Sequence, residues 1–353
     1  MKATFLSDWA GVLPHHVTQM GAVLDAEMVP LCPEGVNSIL SQMEDGWYSD
    51  VIVMVTRMVN KPSSVVQAQR LASAVLEDQR CETKLVLLDI EGVTYLELAH
   101  LRDGSLPNPP SLAEYLWLAN RVHLNISMSR SSDGLIRSMA PKVSCRLFGF
   151  IPEPDEVYDG CYRVRKGFMT HPYVINIGIG AKAGPARRGL TDVLTAIEIG
   201  RRLGKAVNIH IPFGSGEHLY LYNALIKNSE PRVTASFVPF DGEYGTFLRR
   251  LVEYDLVVNL DPIDGASRLA SECARVGVPC LGMRHSYYQE LFYPYLSVDV
   301  ADPYVAARQY CEALRASRIP RYLEHAKEIS SEHNREASIQ EWKSLLKEIG
   351  VPI

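Results

Sequence analysis

The chain has 353 residues, long for one domain and comfortable for two, each able to bury its own core. Hydrophobic content of 47% with 22% charged residues describes an ordinary globular protein, and a net charge of −5 excludes a molecule coated in basic surface while leaving room for a local basic groove. No apolar run approaches the ~18 residues of a membrane span, the opening MKATFLSDWAG is too poor in apolar residues for a signal peptide, and seven cysteines without C-x-x-C spacing fit free thiols in a reducing cytoplasm and argue against zinc.

Residues 3–6 read as a first short strand, followed by a loop that holds Gly11, Pro14, His15 and His16. A helical pattern covers 17–26, and DVIVMVT at 50–56 is apolar without alternation, as a strand buried on both faces is. An amphipathic helix is expected over 63–76. A second buried strand, 84–88, ends at Asp89, Glu91 and Gly92. Residues 102–111 carry four prolines and glycines and read as a loop. Helix follows at 112–120, then strands at 122–127 and 145–149. Strands alternating with helices predict an α/β domain with a mostly parallel sheet.

The stretch IPEPDEVYD, 151–159, has two prolines, four acids and little to build a core from. It opens a linker placed at 151–165, between a domain over 1–150 and a second over 166–330. The second series runs strand 173–179, helix 190–203, strand 207–211, helix 220–227, strand 233–238 and helix 246–253. Next comes the most informative unit, 256–290. An apolar strand at 256–260 leads into a turn with Asp261, Pro262, Asp264 and Gly265. An amphipathic helix with Leu269, Ala270, Cys273 and Val276 on one face is closed by Gly277, and a strand follows at 278–281. A last strand is expected at 296–300. From Pro303 the pattern is helical to the end, and Ile339, Trp342, Leu345, Leu346 and Ile349 share one face of a final helix within 331–353, expected to pack back towards the first domain.

The chemistry gathers after the strands of the second half, where doubly wound sheets bind ligands. GIGAKAGPARRGLTD, 178–192, offers glycines at 178, 180, 184 and 189 that let a ligand approach the backbone. Its spacing is not the G-x-G-x-x-G of dinucleotide folds. Arg187 and Arg188 stand just before a helix, where positive charge opposes the macrodipole by roughly 0.3–1 kcal/mol each. A bound phosphate reverses that sign, so Gly180, Arg187 and Arg188 form a candidate phosphate site; solvated loop charges are the plain alternative. Glu272 is a candidate for holding a ribose diol, against the simpler roles of pairing with Arg268 for Glu272 and capping the helix for Asp264. Phe240, in VPFDGEY, is placed to meet a nucleobase, or to be core.

Asp264 and Glu272, with seven residues between them, resemble the acidic E-x7-E pair of GT-B glycosyltransferases, with Asp at the first position. The resemblance implies two Rossmann-like α/β domains facing each other across a cleft. It also implies a nucleoside-diphosphate sugar donor, UDP-sugar foremost, with no obligatory metal. In it Glu272 holds the ribose, Asp264 and Gly265 lie on the sugar side, and the first domain presents acceptor and base. Asp89 is then the candidate base for an inverting displacement, with His15 or His16 as rival; a turn-capping Asp89 is the plain reading. Asp89 and Glu91 also resemble the D-x-D metal pair of GT-A enzymes, which leaves the second domain unexplained.

Within the group the chain is most similar to phage DNA β-glucosyltransferases, which modify hydroxymethylated pyrimidines. The shared features are the Asp ending KLVLLDIEG, the arginine-bearing loop and the Glu341-Trp342 pair near the C-terminus. DNA is then the implied acceptor, in a host cytoplasm. Arg121, Arg130, Arg137, Lys142 and Arg146 against Asp133 alone form a candidate phosphate-tracking strip. A glycan or lipid acceptor, and a non-catalytic nucleotide-sugar or nucleic-acid binding protein, are the alternatives.

Overall fold

The run VIVMVT forms β3 (Val51–Thr56) in the middle of a parallel sheet, and its residues 51–55 are buried on both faces, as their unbroken apolarity requires. The computed structural model describes residues 1–7, 15–56, 62–89, 109–161, 171–180, 189–212, 226–227, 233–238, 244–261 and 267–353. Around β3 lie β1 (Ala3–Ser7), β2 (Glu27–Pro30), β4 (Lys84–Asp89), β5 (Leu124–Ser127) and β6 (Ser144–Leu147), in the order β2-β1-β3-β4-β5-β6. All neighbours run parallel. One face of this sheet carries Leu6, Ile52, Met54, Leu85 and Leu87 against the helices Pro33–Glu44, Pro62–Glu77, Pro109–Ala119 and Arg130–Met139. The other carries Phe5, Val53, Val86 and Leu88 against His15–Val23 and the last helix, Arg335–Glu348. Trp342 of that helix is fully buried, its ring centroid 6.3 Å from Phe5 and 5.8 Å from Phe148.

The second sheet holds β7 (Val174–Ile179), β8 (Ala206–Pro212), β9 (Val233–Val238), β10 (Leu256–Asn259), β11 (Cys280–Met283) and β12 (Ser297–Val298), in the order β12-β11-β10-β7-β8-β9. It too is parallel throughout. The helices Gly189–Leu203 and Pro303–Arg315 pack together, and Arg268–Val276 packs on Tyr287–Phe292 and Ile319–Glu332. By their contacts the residues divide into two units: Met1–Glu153 with Asn334–Ile353, and Pro154–Ile263 with Ser267–His333. No described helix is long and apolar enough to cross a membrane.

Several described elements escape a reading of periodicity, the short helix Tyr287–Phe292 among them. β2 is a four-residue edge strand with no buried residue, so it carries no apolar run. The helix Pro33–Glu44 follows it at once, and the helix Arg130–Met139 is hidden by its serines and Gly134. The first helix ends at Val23, short of the expected 26, because Asp25 takes a left-handed backbone (φ 51°). Residues 155–159, expected as linker, form one helical turn, Asp155–Asp159. β11 begins two residues later than expected, and β12 is only two residues long. The expected helix at 220–227 lies outside the described residues save 226–227, which are helical.

Candidate functional site

β7 pairs with β8 on one side and β10 on the other, so the second sheet reverses its order of winding between β7 and β10. Ligands of doubly wound sheets sit outside the carboxyl ends of the strands at such a switch point. The two segments singled out by their residues, the Gly/Arg stretch after β7 and the acidic stretch after β10, therefore leave neighbouring strand ends. Register places Ile179 beside Val258, and the amide of Gly180 donates to the carbonyl of Val258 at 2.8 Å.

The glycines at this edge have packing reasons. A Cβ at Gly178 would come within 2.3 Å of the Tyr254 ring, and one at Gly180 within 2.3 Å of Leu269. Gly178 thus sits tight against the segment that leads into β10, and Gly180 against the helix Arg268–Val276. Arg187, Arg188, Phe240, Asp264 and Gly265 lie outside the described residues. Asp192, which the sequence reading passed over, sits in the first turn of the helix Gly189–Leu203 and is fully buried. Its Oδ1 accepts from the amide of Leu260 at 2.8 Å, tying that helix to the end of β10. An acid in a first helical turn was the one visible sign of it.

The helix Arg268–Val276 opens from Ser267, whose backbone is left-handed (φ 51°, ψ 59°), a conformation rare for serine. It ends at Gly277 (φ 72°), as expected, with the Val278 amide donating back to Cys273 at 2.9 Å. Glu272 is only 4% exposed. Arg268 Nε donates to its Oε1 at 2.5 Å, so the simple pairing exists. It does not exhaust the carboxylate, which offers about four lone-pair sites. The Arg268 guanidinium lies 4.7 Å from the ring centroid of Tyr244, whose hydroxyl is 3.1 Å from that of Tyr158. Arg275 stacks over Tyr158 at 5.4 Å. Burial, then the Glu272 charge, pushes both tyrosine hydroxyls above the ordinary range. Tyr158 lies in the stretch read as linker, and no pattern in the sequence marks it.

In the first unit Asp89 is the last residue of β4, paired in register with Thr56 and Ser127. Its carbonyl accepts from the Met128 amide at 3.0 Å. The side chain is fully buried, and alternation puts it on the same face as Leu85 and Leu87, under the helices. Burial first, with the Asp89 charge among the other causes, raises the Tyr115 hydroxyl and pushes the Cys145 thiol up to about 12. His15 and His16 are the first two residues of the helix His15–Val23. Glu91 lies outside the described residues. Of the basic strip, Arg137 pairs with Asp133 and Arg146 with Glu348, while Arg121 stacks on Trp117 at 4.3 Å. Among the described residues no group of three or more His, Cys, Asp or Glu side chains is placed to hold a metal ion.

Two parallel six-stranded sheets, each in its own helix-covered unit, define the fold as GT-B. No protein-family model matches the sequence, and no curated protein matches it significantly. Solved structures do match over nearly the whole chain. HepE from Anabaena, solved with UDP-glucose, is similar with a TM-score of 0.67 at 14% identity, covering 99% of this chain and 100% of its own. A sucrose-phosphate synthase from Thermosynechococcus elongatus gives a TM-score of 0.74 at 13% identity, covering 99% and 98%. A UDP-forming α,α-trehalose-phosphate synthase from Burkholderia xenovorans gives 0.64 at 10% identity, covering 90% and 79%.

Proposed function

We propose that the chain is a glycosyltransferase that moves a sugar from a nucleoside-diphosphate sugar, foremost a UDP-sugar, to an acceptor hydroxyl. The observation that carries this reading is the switch point of the second sheet. There the segment bearing Arg187 and Arg188 and the segment bearing Asp264 leave adjacent strands. The fold supports it, and so does HepE, whose structure holds UDP-glucose.

In this reading Glu272 accepts hydrogen bonds from the ribose diol and Asp264 meets the sugar. Gly180 and Gly265 shape the backbone around the donor, and Phe240 meets the base. Arg187 and Arg188 stabilise the negative charge that develops on the departing diphosphate, so no obligatory metal is needed for that step. Asp89, or His16 as the rival, takes the acceptor proton while the anomeric carbon is attacked from the opposite side, which inverts configuration. All seven cysteines are free thiols, which supports work in a reducing cytoplasm.

For the acceptor, the resemblance to phage DNA β-glucosyltransferases supports a hydroxymethylated pyrimidine in DNA. A glycan or lipid acceptor is favoured by a different observation: Arg137 and Arg146 are each paired with an acid, which withdraws two of the strip's five basic residues from phosphates.

Calorimetry and thermal unfolding with UDP-, GDP- and TDP-sugars test the donor. A true donor at a hundred times its Kd raises stability by about 2.7 kcal/mol, and slow donor hydrolysis separates an enzyme from a binding protein. Absence of binding by every nucleotide sugar sinks the proposal. Transfer to hydroxymethylated DNA at low salt, run beside glycan acceptors, decides the acceptor.

A further inference from the structure

The residue four places before Glu272 stands where helix physics disfavours it. Arg268 is the first residue of its helix, so its charge opposes the macrodipole there. The order is also the poorer one, since an acid ahead of the base makes the better i,i+4 pair. Arg268 nevertheless sits in a fully built environment. Its Nε donates to Glu272, and its guanidinium is stacked at 4.7 Å on Tyr244. That ring is braced in turn by the Tyr158 hydroxyl at 3.1 Å. Tyr158, Tyr244, Arg268 and Glu272 thus form one chain of contacts drawn from three separate helices, Asp155–Asp159, Tyr244–Leu251 and Arg268–Val276.

We propose that Arg268 is the positioning residue of the donor site, holding Glu272 ionised and in one orientation so that its carboxylate meets the ribose diol. A carboxylate buried to this degree persists as a charge only with a partner. A flexible lysine would neutralise it without orienting it, whereas a planar guanidinium lying on an aromatic ring has its plane and direction set. The Tyr244 platform therefore fixes the fork, and the fork fixes the acid. This assignment rests on the ribose-binding role given to Glu272 above, and it identifies the sugar of the nucleotide as the part whose recognition depends on Arg268.

The test measures UDP and 2′-deoxy-UDP affinity by titration calorimetry for the full-length wild type, Arg268→Met, Arg268→Lys and Glu272→Ala. Wild type should prefer UDP, because the deoxy nucleotide leaves the carboxylate with one hydroxyl fewer. Arg268→Met should weaken UDP binding by about 10-fold, as when a ligand-holding group loses its outer partner, and should bring the ratio of the two affinities close to 1. Arg268→Lys should recover part of that ratio. A folded Arg268→Met that keeps the wild-type ratio overturns the assignment. Should Arg268→Met fail to fold, Arg268→Lys decides: a wild-type ratio overturns the assignment and a reduced one supports it. If the wild type binds UDP without preferring ribose, or Glu272→Ala binds as wild type does, the positioning role is overturned while nucleotide binding stands. If the wild type binds neither nucleotide, the donor reading itself falls, and the positioning role with it.

Discussion

The carboxylate of Asp192 accepts the amide of Leu260 at 2.8 Å, and this one bond joins the start of the helix after β7 to the end of β10. The two segments proposed to hold the donor begin on either side of it. Asp192→Ala leaves a buried amide without its acceptor and should destabilise the protein by roughly 1–3 kcal/mol. Because the start of that helix and the end of β10 lose this tie, nucleotide affinity should fall as well. Denaturant unfolding and calorimetry measure the two effects, and a variant unchanged in both removes Asp192 from the frame of the site.

Arg187 and Arg188 immediately precede the helix Gly189–Leu203 in sequence, and in the proposed reading they meet the diphosphate there. Replacing both by Ala should slow sugar transfer more than it harms the apo protein, which should be equally or slightly more stable. Full turnover together with normal inhibition by a nucleoside diphosphate would remove them from the phosphate site.

Asp89→Asn keeps shape and hydrogen bonding but cannot take a proton. Acting as the base, Asp89 should be worth about 10²–10⁴-fold in transfer, with donor affinity near normal. Its complete burial on the helix-covered face gives the alternative equal clarity. A variant that keeps activity within a few-fold assigns Asp89 to packing and moves the proton acceptor to His16 or His15.

His123 Nδ1 accepts from the Leu85 amide at 3.0 Å, and burial, helped by the Lys84 charge, holds its pKa below the ordinary histidine value. Burial lowers His210 and His333 in the same direction. As pH falls, an unfolded histidine takes its proton near pH 6.5, before these folded groups take theirs. Within that window the unfolded state binds more protons, so stability falls as pH falls below about 6.5. Above it the histidines are neutral in both states and contribute no slope. Melting temperature should drop from pH 7.5 to pH 5.5, and His123→Asn, which retains an acceptor but no titration, should flatten part of the drop. An identical pH profile for His123→Asn would acquit that histidine.

Local pattern was enough for much of the architecture. VIVMVT and KLVLLD have no polar alternation, so they had to be strands covered on both faces, and Gly277 had to end its helix because it takes the left-handed turn at low cost. The residues of the candidate site were legible as types: arginines where a helix starts, an acid on the helix that follows a strand and a turn. Their neighbourhood was not. That β10 lies against β7, eighty residues earlier in the chain, is set by the order in which the strands assemble, about which a local period is silent. The same distance hid the tie between Asp192 and Leu260 and brought Tyr158 from an apparent linker onto Tyr244. The face of Asp89 was equally hidden. Alternation shows that it shares a side with Leu85 and Leu87, but when both sides of a strand are apolar, only packed helices decide which residues lie beneath them.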